Sequence, residues 1–423
     1  MELCDRIDIE YHPLCPISTI LTICAMNSIV SASNADNYDQ PKSKRLLSID
    51  LWRGLVMVLM ALDHVRSFFT NVRFSPLDIT QTTIPLFFTR WVTHLCAPSF
   101  VFLAGVATYL SLQRYRNKRE LSRFLFTRGL WLVFLELTVI SLAWTFNPTF
   151  FGAGVLWVIG WSMVVLAVLI HFPNRAIATF GILLIVGHNL FDNLHVEQLG
   201  RWGWFWAVLH EQQMFTPFPR ISFFIVYPLI PWIGVMAVGY AFGRVFNLEK
   251  SQRSQLLQRL GLGLILTFII LRAINIYGDP KPWSFQSSFS RTLLSFINCH
   301  KYPPSLLFLL ITLGIAILIF HLFENHRFRI LKPLALFGRV PLFFYIIHLW
   351  LIHIAAVLLA FPNYGWKAII QPYIMSHLMP PEYGYDLPKI YILWLIILVI
   401  LYPICNWFAN YKAKHQNWWL NYL

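Results

Sequence analysis

SIDLWRGLVMVLMALDHVRSFF, residues 48–69, is long enough to cross a bilayer core, which takes about 20 mostly apolar residues in a helix. It nevertheless carries Asp50, Arg53, Asp63, His64 and Arg66. An ionisable group at mid-bilayer costs at least ~2.5 kcal/mol, so each needs a partner or a water-filled site. Asp50, Arg53, Met57, Met60 and His64 recur at alternating steps of three and four, which is one helical face. Arg53 and His64 are then about three turns, or ~16 Å, apart along the axis. The segment reads as a membrane helix with a polar seam turned toward protein. Arg53 sits toward one end, where it can snorkel as a topology anchor or meet a bound anion. Asp63 and His64 sit toward the other end, as a hydrogen-bonded structural pair or as reactive groups.

The next apolar stretch, LFFTRWVTHLCAPSFVFLAGVATYL (86–110), runs back and places Arg90 and His94 one turn apart. A short connection makes the two helices antiparallel neighbours, so His94 is expected at the depth of His64. His64, His94, Asp63, Arg66 and Thr93 are expected to cluster, either as a polar packing seam or as a reactive site. Pro98 loosens the backbone just past His94, which suits a cavity wall.

Composition agrees with this reading over the whole chain. Of 423 residues 57% are hydrophobic and 12% charged, against about 25% charged in soluble domains, and the mean hydropathy is +0.59. A soluble globule of this size could not cover itself, and a disordered chain would not be so apolar. The net charge of +14 is a topology signal before it is a nucleic-acid signal, and no nucleic-acid partner is expected. None of the six cysteines has metal-ligand spacing with another, and no metal is expected.

The expected fold class is all-α: a polytopic membrane helix bundle of about ten transmembrane helices. They are placed at 48–69, 86–112, 124–146, 153–171, 175–191, 222–246, 256–276, 303–323, 333–359 and 388–410, with no strands. Basic residues fall on every second connection and both tails: Lys42, Lys44 and Arg45; Arg114, Arg116, Lys118 and Arg119; Arg175; Lys250 and Arg253; Arg327, Arg329 and Lys332; Lys412 and Lys414. The positive-inside rule puts these connections and both termini in the cytoplasm. The opposite segments, 70–85, 192–221, 277–302 and 360–387, carry Trp202, Trp204, Trp206, Trp283, Tyr302 and Trp366, as an interfacial aromatic belt would. Residues 1–45 are set aside as a tail. Residues 14–33 mimic a signal-peptide core, but the acidic residues before them argue against one, and Met26 is an alternative start. The functional domain is expected over 46–410, with a cytoplasmic tail over 411–423.

Further ionisable groups interrupt the apolar stretches. Glu136 needs a proton or a cation, and an Arg or His is its expected partner. His188 lies in GHNLFD (187–192), and Arg272 in LRAINIYGDPKPW (271–283). Arg339, Tyr345, His348 and His353 lie within GRVPLFFYIIHLWLIH (338–353). Tyr345 and His348 share a face and His353 is rotated away from it. Each could serve packing alone; together they imply a polar interior supporting the first-helix groups.

SIDLWRGLVMVLMALDHVR and THLCAPSFVFLAG together resemble the opening two helices of the heparan-α-glucosaminide N-acetyltransferase catalytic-domain-like family, within the wider transmembrane acyltransferases. GHNLFD, LRAINIYGDPKPW, KYPPSLLFLL (301–310) and GRVPLFFYIIHL (338–349) are similar to its bacterial branch, so the resemblance spans about 46–410. It implies transfer of an acyl group, acetyl in the namesake, from cytoplasmic acetyl-CoA or another acyl-CoA to an amine or hydroxyl of a glycan or glycolipid. It also implies residence in a bilayer, the inner membrane in a bacterium, and leaves room for a homodimer. Lysosomal members are thought to use a histidine between the first two helices; residues 70–85 here contain none, which leaves His64 and His94.

On that reading His64 is the base, or a nucleophilic acyl carrier, and Asp63 or His94 orients it. Arg114, Arg116, Lys118 and Arg119 attract the CoA phosphates, although the topology rule demands those cations anyway, and Arg53 meets the cofactor within the bundle. The competing reading is a proton-coupled secondary transporter using the same His, Glu and Arg groups. A third is a scaffold whose polar groups only pack helices.

Overall fold

The structure is a computed structural model and describes residues 46–112, 115–325, 331–365, 382–415 and 417–422. The expected tail 1–45 and Arg114, Arg327, Arg329 and Trp366 lie outside the described residues. Helix α1 (Leu47–Phe69) is followed by α2 (Ile84–Ser111), α3 (Lys118–Thr145), α4 (Val155–Leu169) and α5 (Asn174–Phe191). Then come the short α6 (Gly203–Leu209), α7 (Ile230–Phe242), α8 (Lys250–Ile274) and the amphipathic α9 (Phe289–Ile297). The described chain ends with α10 (Leu306–Asn325), α11 (Lys332–Arg339), α12 (Pro341–Tyr364), α13 (Leu387–Lys414) and a 3-10 turn, Trp418–Asn421. Seven of these helices, α2, α3, α5, α8, α10, α12 and α13, are long and apolar enough to cross a membrane. The protein is a multi-pass integral membrane protein. The last helix continues past residue 410, to Lys414.

Three local features depart from a simple row of rods, and proline accounts for two of them. In α2 the backbone tightens to a 3-10 turn at Thr93–Leu95. Pro98 has no N–H to give the carbonyl of His94 one turn back. In α3 a π-turn spans Glu136–Ile140, a device common at functional sites. The expected helix 333–359 is two helices. Val340, before Pro341, leaves the helical region (φ −129°, ψ 51°), because a following proline ring crowds the α conformation. The short α11 then lies against α1 so closely that a methyl group on Gly54 would collide with the Leu334 carbonyl, and one on Gly338 with the Asp50 carbonyl.

The expectation of no strands is wrong. β1 (Phe150–Ala153), β2 (Gln213–Phe218) and β3 (Ile221–Ile225) form a sheet in the order β1-β3-β2. β1 pairs parallel with β3, from Phe150 opposite Ser222 to Ala153 opposite Ile225, and β2 pairs antiparallel with a bulge between Phe215 and Phe218. The expected helix 222–246 therefore begins as a strand, and α7 starts only at Ile230. ISFFI is a β-branched and aromatic run that needs a partner from 70 residues away, so in sequence it is indistinguishable from the end of an apolar helix. β1 follows the end of α3, at the far end of that helix from Lys118 and Arg119, and the sheet roofs the site. Of the expected aromatic belt, Trp202 and Trp204 are exposed, but Trp283 packs inward, its indole N–H donating to the Arg272 carbonyl. Tyr302 faces an internal cavity.

Candidate active site

Two cavities meet beneath the sheet. The inner chamber has a cavity volume of about 110 Å³ and is lined by Met60, Asp63 and His64 of α1, Thr93, Cys96, Ala97 and Phe100 of α2, Glu136, Ser141 and Trp144 of α3, and Tyr345 of α12. Its roof is β1, Phe224, Val226, Tyr227, Lys301 and Tyr302. The outer vestibule has a cavity volume of about 940 Å³, and Phe224, Val226, Lys301 and Tyr302 belong to both linings.

His64 is held by a relay. Its Nδ1 lies 2.7 Å from Nε2 of His348, and His348 Nδ1 lies 2.9 Å from the Phe344 carbonyl oxygen. A carbonyl only accepts, so His348 carries its proton on Nδ1 and offers the Nε2 lone pair to the Nδ1–H of His64. The relay leaves a lone pair on His64 Nε2, and no hydrogen bond to that atom exists among the described residues. The two imidazoles are nearly parallel, with centroids 5.0 Å apart, and Trp144 stands edge-on to His64 at 4.8 Å. The expected orienters of His64 were Asp63 and His94; the hydrogen bond comes from His348 instead. The reason is register: α12 starts anew at Pro341, and that start sets which face meets α1.

Asp63 is committed elsewhere. Its carboxylate accepts from Arg66 at 3.0 Å and, in a short contact, from Arg90 of α2. These three groups form a charge cluster between His64 and His94. His94 is buried, packs on Phe308 with centroids 5.2 Å apart, and faces the vestibule; its Nε2 has no hydrogen-bond partner among the described residues. Thr93 accepts a long bond from Arg90, and its own hydroxyl donates to the Arg90 carbonyl.

Glu136 has neither of its expected partners. Its carboxyl group accepts the Leu156 N–H at 2.8 Å, at the start of α4, where the first amides of the helix have no partner within it. A side chain at Gly154 would collide with it. Ser141 donates to the Glu136 carbonyl and accepts from Gly152, tying the π-turn to β1. Tyr345 lines the chamber with Glu136 and sits 5.6 Å, centroid to centroid, from His348. His353, on another face of α12, meets the Ala143 carbonyl and stacks on Phe146.

The remaining expected site residues divide. Arg272 is 1% exposed and grips the carbonyls of Phe296, Lys281, Ser295 and Asn298, with Asp279 at 3.6 Å. It organises the loops that wall the vestibule. Arg53 donates to the Gly338 carbonyl at 3.1 Å and lies 3.8 Å from Asp50, at the α1–α11 crossing. Arg116, Lys118 and Arg119 are exposed at the start of α3 and line neither cavity. Arg339 was expected to point inward but is exposed, because α11 ends there. His188 is buried away from both cavities, beside His210.

Sequence reading missed Lys301 and Tyr302 as site residues. Lys301 is 8% exposed, and its ammonium lies 5.1 Å from the Tyr302 ring centroid. Burial opposes ionisation of the Tyr302 phenol, but the Lys301 and Arg90 charges outweigh it and hold the group below the ordinary tyrosine range. The signal was a Lys-Tyr-Pro-Pro run directly before the most apolar helix, α10. His300, next to it, is pulled below its usual value by burial, against the attraction of Asp279.

The arrangement couples an imidazole with an open lone pair to a buried cation and phenol, in a hollow sheltered by helices. That combination can take a proton from a nucleophile and stabilise an oxyanion. No curated protein matches the chain. Residues 45–277 match the family described as "Heparan-alpha-glucosaminide N-acetyltransferase, catalytic".

Proposed function

We propose, since the chain belongs to the heparan-α-glucosaminide N-acetyltransferase catalytic family, that it is a membrane acyltransferase whose base is His64. The donor is acetyl-CoA or another acyl-CoA, and the acceptor is an amine or hydroxyl of a glycan or glycolipid. The single observation that carries this is the His348–His64 relay ending on an open Nε2 inside the chamber.

The acceptor N–H or O–H attacks the thioester carbonyl while His64 Nε2 takes its proton. The tetrahedral oxyanion forms within the field of Lys301 and the Tyr302 hydroxyl. Collapse breaks the C–S bond, and the CoA thiolate receives the proton from His64. The acceptor leaves acylated, CoA leaves as the thiol, and His64 returns to its starting state. The route through an acyl-His64 intermediate uses the same atom as nucleophile. The helices exclude bulk water, which protects the thioester from hydrolysis.

The basic connections lie in the cytoplasm on this reading, and α1, α4 and α7 cross with the seven long apolar helices to give ten crossings and cytoplasmic termini. Arg53, Arg114, Arg116, Lys118 and Arg119 then attract the CoA phosphates from that side. The vestibule opens on the other side. Arg66, Arg73, Arg90, Arg272, Lys281 and Lys301 line it with Asp78; Asp63 pairs with Arg66 and Arg90, and Asp279 with Arg272, so cations still outnumber carboxylates there. Cations gathered where the topology rule disfavours them support an acceptor that carries negative charge.

The test is release of free CoA thiol by the purified protein in detergent, with acetyl-CoA and amino-sugar or hydroxyl acceptors. Acceptor-dependent release that His64→Ala abolishes is the expected result. A lack of CoA consumption with any acyl-CoA overturns the proposal. Solute uptake into proteoliposomes without CoA consumption would instead establish the transporter reading.

A further inference from the structure

We propose that His188, Asp192 and His210 bind one divalent cation of the zinc class, which staples the outer end of α5 to α6. The ligand atoms of these three residues lie within 4.8 Å of one another. His188 opens the 3-10 turn that ends α5, Asp192 follows that turn as its C-cap residue, and His210 closes the end of α6.

The nitrogen-to-nitrogen distance fits a shared cation better than a hydrogen bond. His188 Nδ1 lies 3.4 Å from His210 Nε2. Two Zn–N bonds of about 2.05 Å at a tetrahedral angle put their nitrogens about 3.3–3.4 Å apart. An N–H···N bond would draw them closer. His188 is 2% exposed; the Pro304 backbone hydrogen-bonds its ring, and its Nδ1 faces His210 at this long distance. A buried imidazole nitrogen held only by a long contact is poorly satisfied, and a cation at Nδ1 supplies the missing partner.

The carboxylate is already positioned. Asp192 Oδ2 accepts from the Asn189 amide at 2.8 Å, which leaves Oδ1 facing His210 Nε2 at 3.8 Å. Asn189 is itself fixed, because its Oδ1 accepts from the Leu306 N–H at the start of α10. Ligating carboxylates are commonly steered by such outer hydrogen bonds. The half-buried Asp192 carboxylate closes the remaining gap by rotating. Without a metal, His210 Nε2 donates its proton to the His188 carbonyl at 2.8 Å; the cation takes that proton's place on Nε2, and the freed carbonyl or a water supplies the fourth position. Two imidazoles with one carboxylate select zinc and its neighbours over magnesium or calcium, which prefer oxygen alone.

Such a staple would act on the cavity roof. Two residues past His210 is Gln212, a vestibule residue, and β2 starts at Gln213 against the β3 strand that walls both cavities.

The test uses the full chain, purified without a histidine tag, and needs no activity readout, so it is independent of the acyltransferase reading. Metal content is measured, and thermal unfolding is followed after chelator washing and after adding Zn²⁺, Mn²⁺, Mg²⁺ or Ca²⁺ singly. About one zinc per chain, or a rise in Tm with Zn²⁺ but not with Mg²⁺ or Ca²⁺, is expected. Asp192→Asn keeps the Asn189 hydrogen bond and should weaken zinc binding at least tenfold; His210→Ala should abolish it. Wild type that holds no stoichiometric metal and whose Tm ignores every cation overturns the proposal. So does an equal zinc response in His210→Ala or Asp192→Asn.

Discussion

His64 Nδ1 stands 2.7 Å from His348 Nε2, and the carbonyl of Phe344 behind His348 fixes which of the two rings keeps its proton there. The reactive and supporting roles of the two histidines follow from that direction. His64→Ala should lower acyl transfer by about 10²–10⁴-fold, the usual worth of a positioned base. His348→Ala should cost less, about 10–100-fold, because it removes an orienting partner. It should also shift the pH profile of kcat, which a merely structural loss would not do. Steady-state rates of CoA release across pH check both. Equal and complete loss in both variants, with folding intact, would contradict the division of roles.

Glu136 is held by the amide of Leu156 at the start of α4. Glu136→Gln retains an acceptor oxygen and should keep Tm within a few degrees. Glu136→Ala leaves the amide unsatisfied in a buried place and should cost about 1–3 kcal/mol. Thermal unfolding in detergent separates the two. Matching Tm values would show that the α4 amide does not depend on this carboxylate.

Arg272 ties four loop carbonyls and Asp279 together. Arg272→Ala strips them all and leaves Asp279 buried without its cation, a change worth about 3–5 kcal/mol for a buried pair. Low yield and early proteolysis between residues 277 and 302 are expected, measured by limited digestion. Wild-type resistance there would remove Arg272 from its organising role.

Lys301 and Arg90 hold the Tyr302 phenol below the ordinary tyrosine range, despite burial. The folded pKa is thus below the unfolded value of about 10. The resulting stabilisation is present above that unfolded value and is lost as pH falls through the lower folded one. Lys301→Gln should raise the Tyr302 pKa and reduce alkaline stability relative to wild type. Ultraviolet titration, with Tyr302→Phe subtracted to isolate one phenol, reads the shift. An unchanged titration in Lys301→Gln would place the ammonium's field elsewhere.

Much of this was legible in the chain, for reasons that can be stated residue by residue. Long apolar runs announce membrane helices, and the 3.6-residue period put Asp63 and His64 on an inward seam because nothing else tolerates charge there. Tyr345 and His348 were rightly placed on one face of α12 by the same period. Partnerships across the bundle were not legible. His64 was assigned to Asp63 or His94 because they are near in sequence, while its partner is 284 residues away. Glu136 was expected to find a side-chain cation and found backbone amides, which no residue type signals. The strands hid inside apolar runs, since pairing and not local propensity makes them. Lys301 and Tyr302 escaped notice because a connecting segment gives no periodicity from which to infer where it folds back.

Phe224 and Val226 stand in both the inner and outer linings. The partition between the two compartments is therefore only one strand thick, and it is hydrogen-bonded to β1, which follows α3 in the chain. A bulky occupant on one face leaves less width on the other. Selectivity toward two simultaneous guests would accordingly be traded between them, and widening tolerance for one by trimming Phe224 should narrow discrimination against the other.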